Sequence, residues 1–235
     1  MALQLTVIIP VYNEEEIIVK VLKEWSAELE YLKLTHEIRV YNDGSKDNTA
    51  GVLNDLEKQI PNLIVVNKKN SGHGPTILQG YREASQKSEW IFQVDSDNEM
   101  PASFFSELWK NKDNYDFLIG IRTNREQHRV RKIISGISRY TVWLFYRKGV
   151  ADVNAPYRLM RSSCFADLYQ KIPATTFAPN LVISGYAGLK KLRIFQTNVL
   201  HTNRETGEVS IKRFKLLKVA AKSYWQTIRI RFQLS

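Results

Sequence analysis

Three carboxylates lie close together in the stretch IFQVDSDNEM, residues 91–100: Asp95, Asp97 and Glu99. They follow an apolar run that predicts a buried strand, so they are expected in the turn where that strand ends. Carboxylates at this spacing repel one another, which raises their pKa values unless a cation or hydrogen-bond donors neutralise them. The cluster therefore predicts either a divalent-cation site or a solvated turn that caps a helix beginning near Pro101.

Two other polar turns also follow apolar runs. Residues 12–16 follow the run LTVIIPV, and residues 42–47 follow the run HEIRVY. Because the carboxyl ends of parallel strands meet at one edge of a sheet, where ligands bind, we expect all three turns to lie together. This convergence favours a ligand site over a solvated turn.

The order of the elements predicts an α/β fold. Apolar runs bounded by polar turns alternate with segments whose apolar residues recur every three or four positions, which indicates strands alternating with helices. Such a chain forms a mostly parallel sheet with helices on both faces. The predicted strands are 5–12, 36–45, 62–69, 90–97, 115–123 and 188–201, and the predicted helices are 14–32, 46–60, 71–86 and 131–149.

The composition fits one domain with a substantial core, since 43% of the 235 residues are apolar. No run of roughly 18 apolar residues predicts a membrane span, and the N-terminal apolar run lacks the preceding basic region of a signal peptide. The single cysteine, Cys164, excludes an intramolecular disulfide and a cysteine-based metal site. This cysteine usage suits a reducing cytosol.

The net charge of +10 is concentrated in two regions of the chain. Residues 121–148 contain eight Lys or Arg and one acid, and residues 201–235 contain eight and two. This balance indicates a polyanionic partner, such as nucleic acid, an anionic membrane or a phosphorylated substrate. Residues 209–235 also predict a basic amphipathic helix, which either lies in a membrane interface or packs on the domain with a solvated basic face.

The residue types in the three turns suit a nucleotide-diphosphate sugar. Glu14 and Asp43 can accept hydrogen bonds from a base and a ribose. The acids of the third turn can bind Mg²⁺ or Mn²⁺, which prefer one or two carboxylates together with substrate phosphates and water. A bound metal would turn the repulsion within this cluster into attraction.

An ordered set of motifs resembles family 2 glycosyltransferases of the GT-A fold, and most of all the dolichol-phosphate mannosyltransferase type. The first half of the chain contributes PVYNEEEII, YNDGSKDNTA, NSGHGPTILQGYREA and VDSDNEM. The second half contributes GIRTNREQHRVRKIISGISR, DVNAPYRLMR and RETGEVS. The resemblance implies one domain at 1–235, with a nucleotide-binding half at 1–100, an acceptor half at 101–208 and the basic tail at 209–235.

The resemblance also implies roles for individual residues. Residues that would contact the nucleotide sugar are Pro10, Tyr12, Glu14, Tyr41, Asp43, Asp95, Ser96 and Asp97. Residues that would hold the metal are Asp97, as the main ligand, Asp95 and Glu99. Residues that would act in catalysis are Asp97, Arg122, Arg131 and Arg204. Residues that would contact the acceptor phosphate are Arg131, Arg204, Ser210 and Lys212.

The chain departs from the family pattern at several positions. Asn42 replaces the first of two acids that often precede the Gly-Ser pair, so Asp43 keeps the nucleotide contact. The motif GEVSIK is stretched, which leaves open whether Ser210 or Lys212 faces the acceptor. Asn180 stands where many saccharide-elongating relatives have an acid that serves as a general base. A phosphate acceptor is already anionic and needs no base, so this change favours a phosphate acceptor over an alcohol.

We therefore expect an inverting glycosyltransferase that uses Mg²⁺ or Mn²⁺ to move a sugar from a nucleotide-diphosphate sugar to a polyprenyl (dolichyl-type) phosphate. It is expected in the cytoplasm, peripherally attached to the cytoplasmic face of an anionic membrane. An enzyme that extends a cell-surface polysaccharide or another saccharide is the alternative. A nucleic-acid-binding module is disfavoured because the chain has no RNA-binding motif or zinc spacing. A non-catalytic protein of this fold is disfavoured because the metal and nucleotide residues are complete.

Overall fold

The computed structural model describes residues 3–123, 129–146, 150–202 and 213–234, and side chains in 3–123, 135–146, 150–202 and 221–234. Its strands form one sheet in the order β3-β2-β1-β4-β6-β5-β7. The strands are β1 Leu3–Val11, β2 His36–Asn42, β3 Leu63–Asn67, β4 Ser88–Gln93, β5 Phe117–Thr123, β6 Arg158–Arg161 and β7 Ile194–Leu200. The α-helices are α1 Ile18–Tyr31, α2 Thr49–Gln59, α3 His73–Ala84, α4 Phe105–Asn111, α5 Arg129–Tyr146, α6 Ser162–Lys171, α7 Pro179–Leu189 and α8 Arg213–Gln233.

The sheet is mostly parallel, which confirms the predicted fold class. Strands β1 to β4 pair in parallel, and β5 pairs in parallel with β7. Strand β6 runs antiparallel to both of its neighbours, β4 and β5. The carboxyl ends of β1, β2, β4, β5 and β7 therefore all lie at one edge, as the polar turns predicted.

Helices cover both faces of the sheet because the strands are apolar on both sides. Successive residues of β1 point to opposite faces, so Val7 and Ile9 pack in one core cluster and Ile8 packs in another. Trp25 of α1 and Phe92 of β4 lie in the first cluster, with ring centroids 5.1 Å apart. Two buried faces explain the nearly continuous apolar runs of these strands.

The second half contains elements that the sequence pattern did not predict. Strand β6 is only four residues long and has an arginine at each end. Helix α7 is apolar on nearly every side, so it lacks the periodicity that reveals a half-buried helix. Residues 188–189 were predicted as part of a strand but end this helix, and β7 begins only at Ile194.

Helix α8 confirms that the basic tail is helical. Its described side chains place Ser223, Thr227 and Ile230 in a buried stripe. The hydroxyl of Tyr146 on α5 donates to the carbonyl of Thr227 at 2.9 Å, which fixes the helix against the domain. Among the residues that the structure describes, no helix is both long enough and apolar enough to cross a bilayer.

Candidate functional site

A small cavity lies among the three carboxylates at the carboxyl ends of the strands. Asp95, Asp97 and Glu99, which follow β4, line it together with Arg122 at the end of β5 and His201 just after β7. Its volume is about 20 Å³. A space of this size holds one water-sized particle. The cavity therefore fits a single ion, whereas a nucleotide must bind outside it.

Local partners neutralise the mutual repulsion of the carboxylates. An oxygen of Asp95 lies 2.9 Å from Nε2 of His73 and accepts a hydrogen bond from Nε2 of Gln93 at 3.0 Å. Burial raises the pKa of Asp95, but the charge and hydrogen bond of His73 outweigh it, so the pKa lies below its usual value. Glu99 lies 2.8 Å from Nε2 of His201. Asp97 accepts a hydrogen bond from the backbone N–H of Glu99 at 3.2 Å, so a nitrogen atom lies close to each of the three acids.

The metal ligands predicted in this turn are Asp95, Asp97 and Glu99. Among the described residues, no group of three His, Cys, Asp or Glu side chains is already arranged to hold a metal ion. The joint ligation of one ion by these three acids stays a prediction. An ion that takes most of its ligands from a diphosphate and water, with Asp97 as its main protein ligand, still fits the cavity.

Arg122 is held in a fixed orientation beside the cavity. Its Nε and Nη2 donate to the two oxygens of Asp152 at 2.7 and 3.0 Å, and the two side chains are only 11% and 21% exposed. A bidentate pair of this kind is stronger and more directional than a single hydrogen bond. The position suits the predicted contact of Arg122 with a phosphate group.

Four other predicted residues cannot be placed by side chain. Arg131 lies in α5, where its side chain is outside the described residues. Arg204, Ser210 and Lys212 lie in the segment 203–212, which is outside the described residues. Their predicted contacts with a phosphate stay predictions.

The predicted nucleotide residues fall into two groups. Tyr12 is half-buried, whereas Glu14, Asp43 and Ser96 are mostly buried at the carboxyl edge of the sheet. Pro10 and Tyr41 are paired in register on β1 and β2, and both are buried. The hydroxyl of Tyr41 donates to Glu83 at 2.9 Å, on the core side of the sheet. The side chain of Tyr41 is fully buried, and its predicted contact with a nucleotide stays a prediction.

Asp43 fastens the loop of residues 68–72 to the end of β2. One of its oxygens accepts from Nζ of Lys68 and from the backbone N–H of Ser71, and the other accepts from the N–H of Gly72 at 2.8 Å. Burial raises the pKa of Asp43, but these donors outweigh it and lower the pKa. Asp43 thus shapes the site, and its direct contact with a nucleotide stays a prediction.

We expect Asp43→Asn to lower the free energy of unfolding by about 2 kcal/mol at pH 7, because an amide cannot accept all of these bonds. Because the pKa of Asp43 is lower in the folded protein than in the unfolded chain, its charged form stabilises the fold above the unfolded pKa, which is about 4. This stabilisation is lost as the pH falls through the folded pKa. The difference in thermal midpoint from the wild type should therefore shrink below about pH 4. Asp55→Asn replaces an exposed carboxylate of α2 and is the control. It should change neither the free energy of unfolding nor the pH dependence of the thermal midpoint. An unchanged midpoint for Asp43→Asn at pH 7 would contradict this role.

A buried polar network behind Asp95 was not predicted. The hydroxyl of Tyr81 donates to Asn180 at 2.8 Å, and the amide of Asn180 donates to Oε1 of Gln93 at 3.0 Å. Gln93 in turn donates to Asp95. The guanidinium of Arg158, which is fully buried, donates to the carbonyl of Asn180 at 3.2 Å. Asn180 is therefore buried and is linked to Asp95 through Gln93. The sequence signal is that Gln93 and Arg158 in strands, and Asn180 in a helix, are single polar residues that adjoin apolar runs.

Comparisons with known proteins agree with this geometry. Residues 6–168 match the sequence model of glycosyl transferase family 2. The chain is 27% identical over 219 residues to the undecaprenyl-phosphate 4-deoxy-4-formamido-L-arabinose transferase of Serratia proteamaculans, covering 92% of this chain. It is 26% identical over 219 residues to the protein of that name from Photorhabdus laumondii, again covering 92% of this chain. In both cases it spans only 65% of the length of the relative.

Two solved structures have the same fold. Glucosyl-3-phosphoglycerate synthase of Mycobacterium tuberculosis, in complex with Mn²⁺, uridine diphosphate and glucosyl-3-phosphoglycerate, superposes with a TM-score of 0.70 at 14% identity, covering 97% of this chain and 80% of that one. TarS of S. aureus, in complex with UDP-GlcNAc, superposes with a TM-score of 0.61 at 18% identity, covering 92% and 64%.

Proposed function

The chain belongs to glycosyl transferase family 2 and has the GT-A fold, and on that basis we propose that it moves a sugar from a nucleotide-diphosphate sugar to a polyprenyl phosphate with inversion. The observation that carries the proposal is the ion-sized cavity where three carboxylates meet Arg122 and His201 at the carboxyl edge of the sheet. The similarity to two undecaprenyl-phosphate transferases supports a polyprenyl phosphate as the acceptor class.

The proposed reaction is one displacement at the anomeric carbon of the sugar. The bond to the donor's diphosphate oxygen breaks, and the nucleoside diphosphate leaves with the electron pair. An oxygen of the acceptor forms the new bond from the opposite face, so the configuration inverts. Arg122 offsets the negative charge that develops on the phosphate groups, and its pairing with Asp152 keeps it in place before the reaction. A Mg²⁺ or Mn²⁺ ion held by Asp97 would supply Lewis-acid stabilisation of the leaving group.

A phosphate acceptor is favoured because Asn180 stands where an acid could serve as a base, and Asp152, the carboxylate that could replace it, is bonded to Arg122. Asn180 is buried in the network behind Asp95. Asp152 accepts hydrogen bonds from both Nε and Nη2 of Arg122. An attacking phosphate needs no proton removed, whereas an alcohol does. Transfer to a saccharide remains the alternative function, with Asp152 as the candidate base.

We also propose peripheral contact with the anionic cytoplasmic face of a membrane, through α8. Lys222, Trp225, Arg229 and Phe232 are exposed and recur at helical spacing, opposite the buried stripe of this helix. A stripe of cationic and aromatic side chains suits a helix that lies in the headgroup region of a bilayer. Such contact would bring the site to the depth of a lipid phosphate.

The proposed function is tested by following labelled sugar from a panel of nucleotide sugars with Mn²⁺ into three acceptors: a polyprenyl phosphate in anionic vesicles, the matching polyprenol and an oligosaccharide. We expect butanol-extractable product from the phosphate alone, because only it is already anionic. High salt should lower this transfer by weakening attachment to the vesicles. Product that stays in water with the oligosaccharide, and none with the phosphate, would establish the alternative function.

A further inference from the structure

Arg158 is a fully buried cation that has no acid beside it. The hydrogen bonds of its guanidinium go to backbone carbonyls, those of Val153, Ala155 and Asn180. Within the part of the chain that the structure describes, no carboxylate forms an ion pair with it. Burying a charge costs free energy unless hydrogen bonds compensate for it. The guanidinium and the carbonyls that it binds are therefore expected to keep this arrangement.

The backbone of Arg158 is fixed inside the sheet. It lies on β6, between β4 and β5, where it is paired in register with Gln93 on one side and with Ile119 on the other. A residue that is paired on both sides cannot shift along its strand without breaking the hydrogen bonds of both pairs of strands. The side chain of Arg158 is therefore a rigid anchor for the segment that it binds.

Arg158 and Ser184 hold the turn of residues 152–155, which is closed by a backbone hydrogen bond of 3.2 Å between its first and last residues. The guanidinium donates to the carbonyl of Ala155 at 2.8 Å and to that of Val153 at 3.3 Å. The hydroxyl of Ser184, which is buried on α7, donates to the same Val153 carbonyl at 2.8 Å. The turn is therefore attached to β6 and to α7 by two buried side chains.

The turn carries Asp152, whose carboxylate orients Arg122 beside the cavity. Both hydrogen bonds of this pair depend on the position of the backbone that carries the carboxylate. A misplacement of about 1 Å in a group that acts on the reacting atoms can lower a rate on the order of a hundredfold. Resting on the proposed function, we propose that Arg158 and Ser184 are positioning residues for the sugar transfer. They act through the turn and its carboxylate on Arg122.

Two residues elsewhere make the same kinds of bond and provide matched controls. Arg82 donates through Nε and Nη2 to two backbone carbonyls at the end of α6. The hydroxyl of Ser88, which is also buried, donates to a backbone carbonyl of α3 at 3.1 Å. In the described structure these bonds do not involve the turn, and neither residue lines the cavity. Arg82→Lys and Ser88→Ala therefore match Arg158→Lys and Ser184→Ala in the bonds that they remove.

The first measurement does not depend on activity. Hydrogen exchange at the Nε–H of Arg122 is followed by NMR in protein that contains isotope-labelled arginine, and its signal is assigned by its loss in Arg122→Lys. Exchange should be at least about fivefold faster in Arg158→Lys and in Ser184→Ala, because the bond to Asp152 opens more often. Both control variants should exchange like the wild type. Ser184→Ala removes a single hydroxyl, so it decides the result if Arg158→Lys does not fold.

The second measurement is the transfer reaction with saturating donor and acceptor, at a temperature at which every variant is folded. We expect kcat to fall about threefold in Ser184→Ala and about fivefold in Arg158→Lys, with the donor's KM within about twofold of the wild type. In an Asp152→Asn background the same substitutions should lower kcat by less than about twofold more, since residues that act through one contact are not additive. The control variants should keep the wild-type kcat.

The combined results separate the two proposals. If exchange accelerates and kcat falls only while Asp152 is present, Arg158 and Ser184 position Arg122 for the reaction. If exchange is unchanged, or if kcat stays the same or falls equally in both backgrounds, the two residues only stabilise the fold and this inference is wrong. If the wild type transfers sugar to none of the acceptors, the proposed function fails, and the exchange rate still decides whether the two residues hold Arg122 in place.

Discussion

Replacing Asp97 with alanine is expected to lower kcat/KM by about 10³-fold, corresponding to about 4 kcal/mol of lost transition-state stabilisation. Asp97 lies in the cavity with two other carboxylates and is the main candidate to hold a metal ion together with the donor's diphosphate. Without it the ion would have to rely on Asp95 and Glu99, which are already engaged by His73 and His201. The lower kcat/KM of Asp97→Ala should therefore persist at every concentration of Mn²⁺.

The fold should tolerate this change, because Asp97 is in a polar turn. Its oxygen accepts a hydrogen bond of 3.2 Å from the N–H of Glu99, and losing this bond should cost about 1 kcal/mol at most. Removing one of three like charges should offset part of that cost. Thermal unfolding measures stability, and Asp113→Ala, an exposed carboxylate far from the cavity, is the control for activity. Wild-type activity of Asp97→Ala with unchanged metal dependence would contradict the assignment.

Replacing Arg122 with lysine is expected to lower kcat by about 10²-fold, although the charge is kept. The guanidinium makes two parallel bonds to Asp152 and presents a planar group to the cavity. The ammonium of lysine is a point charge that cannot make this bidentate pair, so its position would vary. Steady-state kinetics with saturating donor would measure the effect. A kcat within twofold of the wild type would show that Arg122 is only part of the fold.

Asp152→Asn distinguishes positioning from base catalysis at the same pair. If Asp152 only orients Arg122, we expect a loss on the order of tenfold and an unchanged pH profile of kcat/KM. If Asp152 is a general base for a saccharide acceptor, the acidic limb of the pH profile should disappear with a much larger loss. The first result supports a phosphate acceptor, and the second supports the alternative function.

The pattern of apolar residues is enough to locate the segments that form the first half of the sheet. Apolar runs such as the one before Asp95 end in polar turns. Segments with helical periodicity lie between these runs, so the pattern leaves little choice in the assignment of strands and helices. Parallel pairing then brings the turns after β1, β2 and β4 to one edge, as the structure confirms. The acidic cluster could be predicted as a site for this reason, because it depends on local pattern and on a general property of parallel sheets.

The tertiary structure decided which partners these residues have. Asn180 and Tyr81 are 99 positions apart in the chain, and Arg122 and Asp152 are 30 apart. No periodicity predicts such pairs, because they depend on the position of β6 between β4 and β5 and on the packing of α7. The packing of α3 on β2 likewise buries Tyr41, which the motif alone assigned to the nucleotide. Local sequence sets where each strand ends, whereas contacts between distant segments set which side chains meet there.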